Sequence, residues 1–239
     1  MGVVAATATG SADVHIHTTF SDGAPTPAMV VAHAIELGLA VIAITDHDCI
    51  DGALEASQHD PGRCEVVIGE EVTTQQGHVL GLFLKRAVPA GLDLEDTIEA
   101  IHSQGGLAIP AHPFLRLGGA RGVGEAGAGL GWDAIETENG SPGAWWANRA
   151  ARRAQPMWAR AQTGGSDAHI LDAVGCAVTR FPGRNAQDLR AAIEAGTTLA
   201  VRGKRSPLVG TRTLARSVRR RLTGEAAREL AGRERRARP

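Results

Sequence analysis

No window of this 239-residue chain approaches the roughly 18 consecutive apolar residues that a membrane-spanning helix needs, so membrane insertion is not expected. The opening stretch, MGVVAATATGSADVHIH, lacks both a cationic segment and a long apolar run, and Sec-type export is not expected either. Cysteine is scarce. Cys49, Cys64 and Cys176 make neither a paired framework nor a C-x-x-C knuckle, which suits a reducing cytoplasm and leaves them as small core residues. Lysine is scarcer still, with only Lys85 and Lys204, and there is no internal repeat of fixed period. What is present is a 43% apolar chain, enough to bury a sizeable core as one large domain or two small ones.

The formal net charge of −1 conceals an asymmetry. Residues 202–239 hold 13 basic and 3 acidic residues, a net of +10, which leaves −11 on residues 1–201. The acidic body could attract divalent cations. The basic end, with Arg219, Arg220 and Arg221 and then Arg233, Arg235, Arg236 and Arg238, could attract phosphate polymers or be a solvated, partly helical or frayed terminus.

Apolar runs of strand length alternate with helix-length segments almost from end to end, the pattern of an α/β architecture with parallel strands. Strands are predicted at residues 12–18, 40–45, 64–68, 78–84, 107–110, 133–137, 157–163, 175–179 and 198–201. AVIAIT at 40–45 is apolar throughout, as a strand covered on both faces should be. Helices are predicted at about residues 94–103, 144–154 and 185–195, and another starts after Thr26, with Thr26 as N-cap, Pro27 in the first turn and Gly38 as the stop. LRLGGARGVGEAGAGLG at 115–131, seven of whose residues are glycine, is expected to be a loop, a candidate lid or base-binding element.

The chemistry gathers at the strand ends. In Asp13-Val14-His15-Ile16-His17 the period of two sends both imidazoles to one side, a spacing that suits a metal ion but is weak evidence alone. Asp22 lies in the turn after this strand, His47 follows AVIAIT, Glu71 follows CEVVIG, His78 begins the next strand and His112 ends LAIPAH. Asp167 and His169 follow the glycines after MWARAQT. In α/β folds functional groups collect where the carboxyl ends of strands meet, so these nine residues are expected on one face. His33, His59 and His102 have no such placement and read as ordinary surface or helix-edge residues. Six imidazoles and three carboxylates without a thiolate suit two to three ions of Mn, Zn or Fe, and exclude an iron–sulfur cluster.

The ordered strings DVHIHTTFSDG, TDHD, GEEVTT followed by GHVLGLF, AHP and GGSDAH resemble the motifs of the polymerase and histidinol phosphatase (PHP) superfamily of metal-dependent phosphoesterases. The resemblance covers residues 11–201, leaving 202–239 as a basic extension, and is closest to small stand-alone bacterial members that act on nucleotide phosphates. It implies a distorted seven-stranded (βα) barrel with up to three metals at the strands' carboxyl ends. Carried over residue by residue, one metal takes His15, His17, Glu71 and Asp167. A second shares Glu71 and adds His78 and His112, and a third takes Asp22, His47 and His169. Glu71 is chosen over its neighbour Glu70 by matching the G-x-E-x-[ST] pattern, with Glu70 in reserve.

The expected activity is hydrolysis of phosphate monoesters, or terminal phosphodiesters, of nucleotides or short oligonucleotides by a metal-activated hydroxide, with Glu71, Asp167 and His169 as the catalytic residues and no membrane partner. Arg116, three residues after the AHP histidine's following position, is either a phosphate clamp or a plain surface arginine, and Asn139 is either a substrate contact or a turn residue before Gly140. Asp46 or Asp48 either orients His47 or caps its loop. The other classes weighed are a non-catalytic nucleic-acid-binding module using the basic end, and an amidohydrolase, whose bridging lysine has no good counterpart here.

Overall fold

In a computed structural model of the protein, residues 9–60, 62–117, 119–203 and 208–223 are described. The apolar, β-branched runs become β1 (Thr9–Ile16), β2 (Val41–Ile44), β3 (Glu65–Thr73), β4 (His78–Leu82), β5 (Leu107–Pro110), β6 (Ala134–Asn139), β7 (Ala161–Gly165), β8 (Ala177–Pro182) and β9 (Leu199–Arg202). The helices are α1 (Pro27–Leu37), α2 (Asp51–Ser57), α3 (Leu94–His102), α4 (Trp145–Trp158), α5 (Ala186–Ala195) and α6 (Val209–Thr223). Among them none is long and apolar enough to cross a membrane.

Local signals set several boundaries. The Thr26 side chain accepts from the Met29 backbone N–H, and Gly38, at φ 71°, takes the left-handed conformation that ends α1. Asn185 and Asp188 form a reciprocal cap on α5.

Seven strands form one sheet in the order β5-β4-β3-β2-β1-β8-β9, and β6 and β7 pair separately. The expectation of parallel strands needs correction. β1, β2 and β3 are parallel, as are β6 and β7, but β3/β4, β4/β5, β1/β8 and β8/β9 are antiparallel. For the first of these the link is the reason: four residues separate β3 from β4, too few for a crossover to a parallel neighbour.

Two seams join the sheets. At one, the Asp133 N–H donates to the Ala108 carbonyl (3.1 Å) while its carboxylate accepts from the Ala108 N–H (2.7 Å). At the other, the Asp167 N–H donates to the His15 carbonyl (2.8 Å) and the His17 N–H to the Ala168 carbonyl (3.0 Å). Strands β1 to β7 therefore follow one another round a curled, incompletely hydrogen-bonded barrel, a distorted TIM type, with β8 and β9 attached to the first half of β1.

The core divides accordingly. Ala12, Val14, Val41, Ala43, Leu80 and Ile109 belong to the cluster inside the curl. Ile16, Ile42 and Ile44 face Val30, Val31 and Ala34 of α1, and Ile98, Ile101 and Trp158 of α3 and α4 cover Val79, Ala108 and Ile135 on the other flank. All three cysteines are buried, and no disulfide joins them.

Two segments depart from the sequence reading. Residues 157 and 158, expected in a strand, end α4 despite Pro156, because Trp158 docks beside Phe114 (ring centroids 5.4 Å apart) and continues the helix's buried face. Short α2 was not expected. At the C-terminal end, α6 rests on the body: Val209 is buried, Arg212 pairs with Asp172, and Arg216 donates to the Asp22 carbonyl (2.8 Å). Lys204, Arg233, Arg235, Arg236 and Arg238 lie outside the described residues, as do the side chains of Arg220 and Arg221.

Candidate metal centre

A bulge in β1 aims the first two imidazoles. Between Asp13 and Ile16 the register against β2 slips by one residue, so Ala12 and Val14 lie in the interior cluster whereas Ile16 packs outward with Ile42 and Ile44. His15 and His17, flanking Ile16, consequently turn inward. A second bulge in β6, between Glu136 and Glu138, lets Glu136 and Asn139 meet although they stand an odd number of residues apart.

The nine residues converge. Glu71 lies within 3.3 Å of five imidazoles, with Oε2 facing His15 (3.3 Å), His17 (3.1 Å) and His47 (3.3 Å) and Oε1 facing His78 (2.9 Å) and His112 (3.0 Å). Asp167 Oδ1 stands 3.4 Å from His17 Nε2 and 3.5 Å from His169 Nδ1, and Asp22 Oδ1 stands 3.0 Å from His169 Nε2. Four groups have donor atoms close enough to share an ion: His17, Asp22, His47 and His169; His15, His17 and Asp167; His15, Glu71 and His112; and His47, Glu71 and His78. This partition differs from the one the resemblance implies, since His112 groups with His15 and His78 with His47. The floor of the cluster is fully enclosed, and His169, whose side chain is 24% exposed, marks its open side.

The donor set fits divalent cations. His15 directs Nδ1 at the buried Glu136 carboxylate (3.0 Å), which fixes that proton and aims the Nε2 lone pair into the cluster. There it meets His17 Nε2 at 3.2 Å, a contact of two like ring nitrogens that one shared cation or proton must reconcile. His112 Nδ1 is buried without a hydrogen-bond partner, and His78 Nδ1 stands 2.9 Å from Glu71 Oε1 without hydrogen-bond geometry. The electrostatics point the same way. Burial opposes a charge on His17, yet hydrogen bonds to Asp167 and Glu71 push it up to about 10. Burial likewise opposes charge on Glu71, Asp22 and Asp167, but the surrounding imidazoles hold all three well below the usual carboxylate range. The centre thus gathers negative charge that calls for a compact positive partner.

His112 and Asp167 stand at φ 30° and 53°, in the left-handed region that non-glycine residues seldom occupy.

Other expected residues are placed as follows. Glu70 faces away and accepts the Val88 N–H (2.8 Å); burial pushes its carboxyl up to about 8. Asp46 braces Thr18 and Ser21, and Asp48 braces Thr73, so both cap loops. Asn139 is engaged inside the site: its amide donates to Glu136 (3.0 Å) and Asp167 (3.4 Å), and its carbonyl oxygen accepts the Ser141 N–H (2.9 Å). Arg116 is exposed on the loop after His112 and lines a groove with Gln75, Gln76 and Arg121. Lys85 is exposed after β4, so among the described residues no lysine bridges the site.

Sequence reasoning missed Glu136 and Ser141. Ser141 donates from Oγ to Asp167 Oδ2 (2.7 Å), and Glu136 also accepts the His112 N–H (2.6 Å). Their only signal was position, within β6 and just past its end. Glu136→Gln is expected to weaken metal binding about 10- to 100-fold, read by titrating metal into chelator-treated protein; unchanged affinity would show that Glu136 does not orient His15.

Comparison with known proteins adds independent findings. The family described as PHP domain matches residues 13–109, and the PHP-associated family matches residues 145–198. An uncharacterized protein of Methanocaldococcus jannaschii is 38% identical over 140 residues, 54% of this chain and 81% of that protein. A 3',5'-nucleoside bisphosphate phosphatase of Chromobacterium violaceum is 39% identical over 83 residues, 33% of this chain and 29% of that protein. A 5'-3' exoribonuclease, Rnm, of Salmonella typhimurium is 36% identical over 89 residues, 34% of this chain and 30% of that protein. The chain thus spans less than a third of the two relatives with named activities. A crystal structure of a two-domain Bacteroides vulgatus protein containing a predicted PHP-like metal-dependent phosphoesterase superposes with TM-score 0.65 at 20% identity, covering 85% of this chain and 67% of that one.

Proposed function

Starting from the fact that this chain belongs to the PHP family of metal-dependent phosphoesterases, we propose that its nine-residue cluster hydrolyses phosphate monoesters, or terminal phosphodiesters, of nucleotides or short oligonucleotides. The observation that carries this is Glu71, one carboxylate within reach of five imidazoles and so suited to join neighbouring cations. The names of the Chromobacterium and Salmonella relatives support phosphorylated nucleosides or RNA as the substrate class.

In the reaction, water adds to phosphorus, the P–O ester bond breaks and the alcohol leaves with a proton. Divalent ions held by His15, His17, Asp22, His47, Glu71, His78, His112, Asp167 and His169 would lower the pKa of that water and offset charge on the phosphoryl oxygens. The protein's own part is placement. Glu136 sets the His15 tautomer, while Ser141 and Asn139 hold Asp167 from behind so that its other oxygen faces His17 and His169. His169 and Asp22, at the open side, lie where the substrate enters. Arg116 supplies an exposed cation whose planar fork suits a phosphate arriving at the rim.

The test is a screen of protein loaded with Mn or Zn against 5'- and 3'-nucleotides, 3',5'-bisphosphates, short RNA and histidinol phosphate. Hydrolysis is expected on nucleotide substrates and is lost in His17→Ala and Asp167→Ala. If metal-loaded protein turns over none of these esters, the proposal fails.

A further inference from the structure

Aromatic side chains make up only 3% of the sequence, four tryptophans and four phenylalanines. Six of the eight are buried or half-buried. The other two are neighbours, Trp145 (67% exposed) and Trp146 (44% exposed), the first two residues of α4. Large apolar rings presented to water in pairs mark a binding surface more often than chance exposure.

Their position relates them to the metal centre. The Ala144 N–H donates to the Ser141 carbonyl (3.2 Å), closing a turn, and Ser141 Oγ donates to Asp167 (2.7 Å). Such a turn keeps its ends within about 7 Å and one more residue adds about 3.8 Å, so the Trp145 backbone starts no more than about 11 Å from Ser141. Asn148 fastens this first helical turn to the end of β6, donating to the Asn139 carbonyl (2.9 Å) and accepting its N–H (3.0 Å). The rings are therefore carried by a braced element about one nucleotide's reach from the phosphoryl site.

The rim continues on the facing loop. Leu117, 60% exposed, approaches so closely that a Cβ on Gly143 would lie 3.6 Å from its Cδ2. The adjacent Arg116 is exposed and cationic. The patch thus offers flat apolar surface next to positive charge, matching a ligand with a planar base at one end and phosphate at the other. Between Asn139 and Trp145 stand only Gly140, Ser141, Pro142, Gly143 and Ala144, which supply little of the broad apolar area, about 800 Å² per side, that a stable protein partner needs.

We infer that Trp145 and Trp146 form a stacking platform for the aromatic base of the substrate, so that the ester acted on is one carried by a nucleoside. This inference rests on the phosphoesterase reading above and adds to it the source of base affinity. Stacking on a π-face tolerates every base, so the platform favours nucleosides over other phosphate esters without choosing among them.

The experiment compares adenosine 5'-monophosphate with ribose 5-phosphate, which lacks the base, on metal-loaded protein. Wild-type tryptophan emission is expected to be quenched by the nucleotide and not by the sugar phosphate. In the Trp145→Ala/Trp146→Ala double variant the quench disappears, and KM for the nucleotide rises about tenfold with kcat within about twofold, a size that base–aromatic stacking supplies. The double Trp→Phe variant keeps the low KM, which separates stacking from damage to the helix. The platform is overturned if the nucleotide causes no quench, or if the alanine variant keeps the wild-type preference for nucleotide over sugar phosphate. A protein that quenches with nucleotide but hydrolyses none of the esters in the screen above would refute the phosphoesterase reading while leaving the platform standing.

Discussion

Glu71→Gln is expected to lower phosphate-ester turnover by about two to three orders of magnitude and to reduce the metal retained after desalting. The carboxylate is buried, within 3.3 Å of His15, His17, His47, His78 and His112, and no neighbouring group can replace its charge. An amide of the same shape keeps the packing but removes the negative charge, leaving five imidazoles without their common acceptor. Removing one preorganised electrostatic group from a reaction centre costs about 100- to 1,000-fold in kcat, which sets the expected loss in rate. The companion variant is Glu70→Gln. Glu70 faces out of the cluster, its carboxyl held neutral near neutral pH by a pKa pushed up to about 8, so a neutral amide accepting the Val88 N–H reproduces its role. Activity is expected to stay within a few-fold. Equal losses at the two positions would show that the adjacent glutamates are not divided between inside and outside as described.

Removing the metal makes stability depend on pH in a way the loaded protein does not show. His17, ordinarily near 6.5 and pushed up to about 10 by Asp167 and Glu71, contributes stability that is complete below pH 6.5 and is lost as pH rises through about 10. Asp22, Glu71 and Asp167 are shifted the other way; their contribution is present above their ordinary values of 3.8, 4.5 and 3.8 and is lost as pH falls. The stripped protein is therefore most stable between about pH 4.5 and 6.5 and weakens towards alkaline pH. Bound cations need neutral imidazoles, so they act most strongly where the proton is leaving. With free metal at 100 to 1,000 times its Kd the stabilisation is about 2.7–4.1 kcal/mol, or about 5–16 °C in melting temperature for a chain of this size. Thermal unfolding at pH 5, 7 and 9 with and without chelator measures it. A difference that does not widen from pH 5 to pH 9 would show that protons and metal do not compete for these rings.

Much of this was legible in the sequence because it rests on short-range rules. Thr26, Pro27 and Gly38 bound α1 as their capping chemistry dictates, and the nine candidate ligand positions stood out because they lie in or beside apolar runs of strand length. Less legible was whatever depends on which strand meets which. Nothing in Asp13-Val14-His15-Ile16 announces the extra residue that turns both histidines inward. Glu136 looked like one acid among several in IETEN, since its value comes from His15, 121 residues away. Asn139 carried a turn signal and a functional one, and both are realised: its oxygen closes the turn on Ser141 while its nitrogen holds Glu136 and Asp167. The helix expected to end near residue 154 runs on to Trp158, whose burial outweighs the one N–H that Pro156 lacks in the last turn.

The left-handed backbone at His112 and Asp167 has a bearing on engineering. An ordinary side chain there costs on the order of 1 kcal/mol or more, which glycine would avoid. Glycine would relieve that strain but would also delete a buried partner of the charged network, a loss of about 3–5 kcal/mol, so selection for heat resistance alone keeps the side chains at positions 112 and 167. At these two codons robustness and the proposed turnover favour the same residues, and stabilising substitutions are better sought elsewhere in the chain.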